Sequence, residues 1–266
     1  ARLRKARIFW LGILFMFGLG IFAVCTKYSD AIRFGEHERL DDALLVYVPF
    51  IGCCAAAFCS IFFGTEYSDG TIRNKLIVGH TREAIYYAGW IAGVLAAVLM
   101  ALAYLLAYGV LGSFLLEAPQ IPVKMLFLYM GISIFTIIAY VSMFHMLSML
   151  ITRKSTAAVV CLLVFFGMLI LAMMIQSKLD APEFLPAYIM GAEGTEQTVP
   201  EPNPKYLQPA VRKVYQFFLD VLPTGQSIQL SAFEVLHPLW LVIYSAVVSA
   251  AATLIGMVAF RKKNLQ

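Results

Sequence analysis

The sequence predicts an all-α polytopic membrane protein, and three observations carry that reading. Apolar residues make up 61% of the 266-residue chain and charged residues only 14%, with a mean hydropathy of +0.80. Soluble domains hold roughly 45–50% apolar and about 25% charged residues, so a single soluble core leaves too much apolar surface uncovered. Six apolar runs approach the ~20 residues a helix needs to cross ~30 Å of hydrocarbon; they lie near 8–24, 44–63, 85–112, 125–151, 157–175 and 239–260. The basic residues then alternate from loop to loop in step with these runs. One membrane domain over 1–266 fits this pattern; a soluble enzyme, a disordered chain and a disulfide scaffold do not. A net charge of +4 gives no footprint for nucleic acid.

Taken in order, the first run is short, but its aromatic and glycine-rich flanks extend it. It lacks a small-residue cleavage site, and Val24 before Cys25 makes a poor lipobox, so it reads as a retained span. Arg2 to Arg7 reads as the tail of an interfacial helix. Phe58 and Phe62 share a face of the second run. The third continues to Leu116, too long for a straight span, with Gly109 and Gly112 as the expected break. Gly89 and Gly93 form a G-x-x-x-G that serves either packing within one subunit or a dimer seam. His145, in the fourth run, is open to a packing role or to a proton or substrate role. Cysteine and histidine spacing offers no metal site.

Orientation follows from Lys and Arg. With the termini inside, the inner segments carry 12 of the 20 basic residues and three acids, net +9, against net −5 outside. The expected topology has both termini cytoplasmic, 64–84 and 152–156 inside, and 25–43 and 176–238 outside.

Two hydrophilic segments exceed simple connections. The outer one, 176–238, holds 8 of the 11 prolines and reads as an irregular helical cap. Within it, Val211, Val214, Tyr215, Phe218, Leu219 and Leu222 recur at helical spacing, and Pro223 ends the stripe. Either this helix rests on the bundle top, or it forms a re-entrant lid over an exit. The inner segment runs through Glu66, Tyr67, Ser68, Asp69, Gly70, Thr71, Ile72, Arg73, Asn74, Lys75, Leu76, Gly79 and Arg82. Ser68 or Asp69 is the expected N-cap of a two-turn helix, and Gly79 its left-handed terminator. Ile72 and Leu76 share an apolar face that so short a helix cannot bury alone, which calls for a bilayer or protein partner. Glu66 and Arg82 bracket the segment and stand as a tether of its ends.

The run from Glu66 to Leu76, with Gly79 and Arg82, resembles the segment after the second span of ABC-2-type permeases, the membrane subunits of bacterial ABC exporters. Leu222-Pro223-Thr224-Gly225-Gln226 and the six-span layout are also similar to that group. Among its members, the look is nearest to permeases exporting amphipathic or antimicrobial peptides, such as phenol-soluble modulin exporters and lantibiotic immunity permeases. The resemblance implies a multi-pass permease in the bacterial plasma membrane. Its partners are cytosolic ABC ATPase subunits and a second permease, most simply in a two-plus-two homodimeric assembly within the lipid bilayer. It implies that Glu66, Tyr67, Asp69, Gly70, Thr71, Ile72, Arg73, Asn74, Leu76, Gly79 and Arg82 couple to the ATPase. It also implies that spans two and five line a cargo path at Phe58, Phe62, Phe166 and Met173, and that Val214, Tyr215, Phe218, Leu222 and Pro223 form the outer lid. Gly64 to Gly70 lacks the spacing and the Lys of a P-loop, so no cofactor is expected on this chain, and ATP and Mg belong to the partner. A different reading is a non-transporting sensor or immunity subunit that binds peptide through its outer loop.

Overall fold

The computed structural model describes residues 2–35, 37–185, 188–191, 194–197 and 201–263. It is all-α in its membrane part, with six long apolar helices: α2 (Arg7–Phe34), α3 (Tyr47–Ser68), α5 (Arg82–Leu115), α6 (Val123–Leu150), α7 (Lys154–Leu179) and α10 (Pro238–Lys262). A turn of helix, α1 (Arg2–Lys5), precedes them, and α4 (Thr71–Ile77) links α3 to α5. α3 and α6 are the most buried spans. α7 packs on α3, α10 on α6, α2 on α5, and α5 touches both central helices. All six expected spans are present, each longer than its apolar run, because helices continue past the hydrocarbon wherever their backbone groups stay paired.

Two expectations change here. α5 runs unbroken for 34 residues, about 51 Å at ~1.5 Å per residue, so its excess length is met by tilt or protrusion rather than by a break. Gly112 is a close-approach glycine instead: a Cβ there would stand 2.7 Å from Leu40 Cδ1. α2 likewise continues to Phe34, where Gly35 at φ +67° ends it.

The G-x-x-x-G resolves as an internal seam. Added Cβ atoms at Gly89 and Gly93 would meet His145 Cε1 and Val141 Cγ1, each at 2.9 Å. His145 is fully buried, edge-on to Phe63 at 4.4 Å and beside Tyr86, with Nε2 3.1 Å from the Tyr86 carbonyl. It sits in the α3–α5–α6 junction, with its Nδ1 buried and without a hydrogen-bond partner.

At the end away from the termini, the cap contains helices α8 (Pro209–Val221) and α9 (Pro223–Ser231). It is not wholly helical. β1 (Phe184–Leu185) pairs antiparallel with β4 (Glu201–Pro202), and β2 (Tyr188–Gly191) pairs likewise with β3 (Gly194–Gln197). Pro186 and Pro200 lie outside the described residues.

Candidate functional site

The expected inner helix exists as α4, seven residues long, but its entry is built differently. α3 continues through Glu66, Tyr67 and Ser68, and Asp69 caps its C-terminus rather than starting α4. The N-cap of α4 is Gly70, at φ +64°, a left-handed conformation that costs glycine nothing. That residue lets the chain reverse from span to α4 within one position. Gly79 ends the helix as expected: at φ +100° its N–H reaches the Leu76 carbonyl, and the His80 N–H reaches that of Lys75, both at 3.0 Å. Thr81 then caps α5, its Oγ1 accepting from the Ala84 N–H.

Three tethers hold this turn, and all of them use the chain ends. Buried Glu66 meets Arg2 at 2.8 Å and Lys75 at 3.1 Å, while Arg2 also donates to Thr71 Oγ1 at 3.1 Å. Tyr67 donates its hydroxyl to the Met149 carbonyl at 2.6 Å, under the Lys263 ammonium, which sits 4.2 Å from the ring centroid. Lys263 Nζ donates to the Met149 and Leu150 carbonyls at 3.0 Å, where its positive charge complements the C-terminal end of α6. Partial burial lowers the Lys263 pKa from its ordinary value. Arg82 reaches the Phe260, Arg261 and Lys263 carbonyls at the end of α10. The expected Glu66–Arg82 tether is therefore replaced by two separate clamps.

The apolar face of α4 also turns out differently. Ile72 is 1% exposed and belongs to the bundle core, and Leu76 packs against that core. The face these two share is covered by the protein itself. What α4 presents outward is Arg73, Asn74, Ile77 and Val78, the last two 74% and 79% exposed. Residues 73 and 77, and 74 and 78, are each one turn apart, so the four make one surface.

The expected cargo-path residues are not brought together in one chain. Phe58 and Phe62 are buried and stacked on each other at 5.0 Å. Phe166 and Met173 stand on the open face of α7 with Leu163, Ile170 and Met174. The outer stripe divides in the same way. Tyr215, Leu219 and Leu222 pack on Ala172, Ile175 and Leu179, whereas Val214 and Phe218 remain exposed, Phe218 beside Leu171 and Met174.

The element that enters the bundle is α9, which the sequence reading did not anticipate. Seven of its nine residues are buried. Gln226 anchors it: Oε1 accepts from Thr136 Oγ1 at 2.9 Å and Ser245 Oγ at 2.6 Å, and Nε2 donates to the Asp220 and Leu241 carbonyls at 2.7 and 3.3 Å. Tyr140 and Ser227 hydrogen-bond at 3.1 Å, and Thr224 donates to the Met168 carbonyl. Thr136 lies 13 residues into α6 from Val123, roughly 20 Å along its axis, so α9 enters the bundle from the capped end like a plug. Pro223 is its first residue rather than the mere end of α8. A Cβ on Gly225 would stand 2.2 Å from the Leu219 carbonyl oxygen, which leaves only glycine at that corner.

Residues 1–175 match the family described as ABC-2 family transporter protein. The chain belongs to the ABC-2 transporter family. No curated protein matches it. The match spans α1 to the greater part of α7, including α4 and its Glu66 and Tyr67 clamps, and stops short of the cap. With its six apolar helices, the protein is a membrane permease component, and such permeases generally work with a cytosolic ATPase. In this ABC-2 permease the residues given no site role from sequence are Arg2, Lys75 and Lys263 at the turn and Gln226 in the plug, although Lys75 and Gln226 stand in the two stretches that carry the resemblance. Lys75 was visible as a base within reach of Glu66; the others are joined to their partners only by the fold.

Proposed function

We propose that this ABC-2 permease is the transmembrane half of an ATP-driven exporter in the bacterial plasma membrane. The end bearing α4 and both termini faces the cytoplasm, in keeping with its excess of Lys and Arg. The observation that carries the reading is the outward surface of α4, Arg73, Asn74, Ile77 and Val78. It is mounted on a glycine pivot and held to α3 by the Glu66–Lys75 pair, while Tyr67 ties α3 to α6 and Arg82 ties the start of α5 to the end of α10. Two adjacent aliphatic side chains left in water at a rigid turn suit a socket on a partner protein.

ATP and Mg bind that partner. When its subunits close, force on Ile77 and Val78 reaches α3 through Gly70 and Glu66, and reaches α6 and α10 through Tyr67 and Lys263. A partner shifts such an equilibrium only through contacts that differ between the two states, and the clamps make α4 move together with the spans. A second permease copy packs on the exposed α7 face carrying Phe166 and Met173, giving a two-plus-two assembly. Cargo passes between copies, against aromatic and Met side chains that accommodate varied apolar shapes, and leaves past the α9 plug. An amphipathic peptide fits that lining. The test is reconstitution with the ATPase: peptide-stimulated turnover that requires this chain supports the reading, and turnover indifferent to the chain refutes it.

A further inference from the structure

A cavity of about 490 Å³ opens at the end that carries both termini, over the last turns of α3. Ile61, Phe62 and Thr65 form its floor, and Ile8 adds to the apolar side. Arg2, Lys5 and Arg7 make one wall, where α1 passes into α2, and Lys154 at the start of α7 makes the other. Gly64 sets the second wall: a Cβ there would stand 2.9 Å from Lys154 Cα, so glycine lets α7 begin this close to α3. Arg2 is engaged by Glu66 and Thr71. Among the described residues Lys5, Arg7 and Lys154 are exposed and make no ion pair. Asp69 is the one acid of the described lining. Three open bases therefore share one mouth with a single carboxylate.

The place of the cavity decides what it takes. Trp10 lies about one turn along α2 from Arg7, 54% exposed, its indole N–H donating to the Arg4 carbonyl at 2.8 Å. Such tryptophans collect at the headgroup level of a bilayer, which sets the basic mouth among the headgroups. Toward the hydrocarbon, Cys54, Ala57 and Ile61 recur at helical spacing on α3 and all stay partly exposed, so the apolar floor runs on into the membrane. A free phosphate meets the bases and leaves that runway empty; a neutral acyl chain fills the runway and leaves the bases unmatched. A molecule with an anionic head and acyl chains answers both, and basic pockets between membrane helices take such heads. We propose that this cleft binds an anionic phospholipid, its phosphodiester held by Lys5, Arg7 and Lys154 and an acyl chain laid over Ile61 along α3. A zwitterionic head is disfavoured because its own ammonium meets the three cations. The site requires only that the chain spans a bilayer, and it stands apart from the exporter reading. Arg2, which lines the same cavity, also holds Glu66 and Thr71, so the lipid sits one side chain from the tether of α4.

The test uses the full chain in neutral detergent without ATPase, with native mass spectrometry counting bound lipid during titration. The probes are dioleoylphosphatidylglycerol, dioleoylphosphatidylcholine and inorganic phosphate. The first phosphatidylglycerol binds about ten-fold or more tighter than phosphatidylcholine, and millimolar phosphate does not displace it. Lys5→Gln, Arg7→Gln and Lys154→Gln together remove that preference. Arg73→Gln, Arg261→Gln and Lys262→Gln together make the same charge change at the same end outside the cavity, and they keep it. If the cavity triple variant elutes differently from the parent, the single variants Lys5→Gln and Lys154→Gln, one from each wall, carry the test, and each weakens phosphatidylglycerol binding measurably. Equal binding of the two lipids, displacement by phosphate, equal loss in the control triple variant, or undiminished preference in the cavity variants overturns the proposal.

Discussion

Glu66 is a carboxylate almost out of water, and its two oxygens meet two cations that reach in from partly exposed positions. Removing one member of a buried pair strands the others, at about 3–5 kcal/mol when all are buried. Exposure of Arg2 and Lys75 screens part of that, so Glu66→Gln lowers stability by about 1–3 kcal/mol. Glu83→Gln, which breaks the exposed pair with Arg261, changes it by about 0–1 kcal/mol. Tryptophan-fluorescence melting of both variants in detergent checks the contrast. Gly225→Ala drives a methyl group into the Leu219 carbonyl oxygen and lowers stability in the same assay by about 1–3 kcal/mol. At this scale the motif residues Glu66, Tyr67 and Arg82 were legible, with Lys75 beside them, but their distant partners were not. Arg2 and Lys263 come from opposite ends of the chain, and nothing in local spacing announces a clamp that only the closed bundle creates.

Among the elements, α4 and α9 show opposite limits of reading hydrophobic pattern. The pattern located α4 and its apolar pair, Ile72 and Leu76, but assigned that pair to a partner. The bundle took it instead, because Gly70 folds α4 back against α3. Leu76→Asp therefore acts on the permease itself. It forfeits part of the ~1.5–3 kcal/mol that burying a Leu side chain contributes and sets a charge at the core edge. The expected result is a lower melting midpoint and a broadened elution profile for the isolated chain. α9 escaped notice for the opposite reason: PTGQSIQLS is too polar to look like membrane-depth structure. Its burial is made possible by hydrogen bonds, chiefly the four of Gln226. Gln226→Leu strands the Ser245 hydroxyl and the Asp220 carbonyl and leaves Thr136 only its long bond to the Ile132 carbonyl, each unsatisfied group costing about 1–3 kcal/mol. The plug then loosens, read as faster hydrogen exchange in α9 than in α6. The stripe on α8 was legible as a helix; Tyr215, Leu219 and Leu222 pack on α7 while Phe218 stays exposed, so Phe218→Asp leaves the fold intact by the same melting assay.

For the whole molecule, six spans and their order followed from hydropathy and helix length alone, because the bilayer sets a length that soluble folds lack. What hydropathy did not supply was which faces meet. α3 and α6 are the least hydropathic of the six spans, but all six are apolar enough to cross a membrane, and only the fold shows these two to be central. The proposed topology is checked by impermeant labelling of intact cells: Lys205→Cys reacts and Asn74→Cys does not, with the reverse pattern inverting the assignment. The central claim is that α4 hands an ATPase its outward surface. The most direct measurement is capture, in detergent, of the ABC ATPase that co-purifies with the wild-type chain, using Ile77→Asp, Val78→Asp and the double variant. Two aliphatic contacts of about 1.5 kcal/mol or more apiece predict at least a ten-fold loss of affinity in the double variant, with the permease's own melting midpoint unchanged. Undiminished capture by the double variant, or no ATPase with the wild-type chain, would contradict the account.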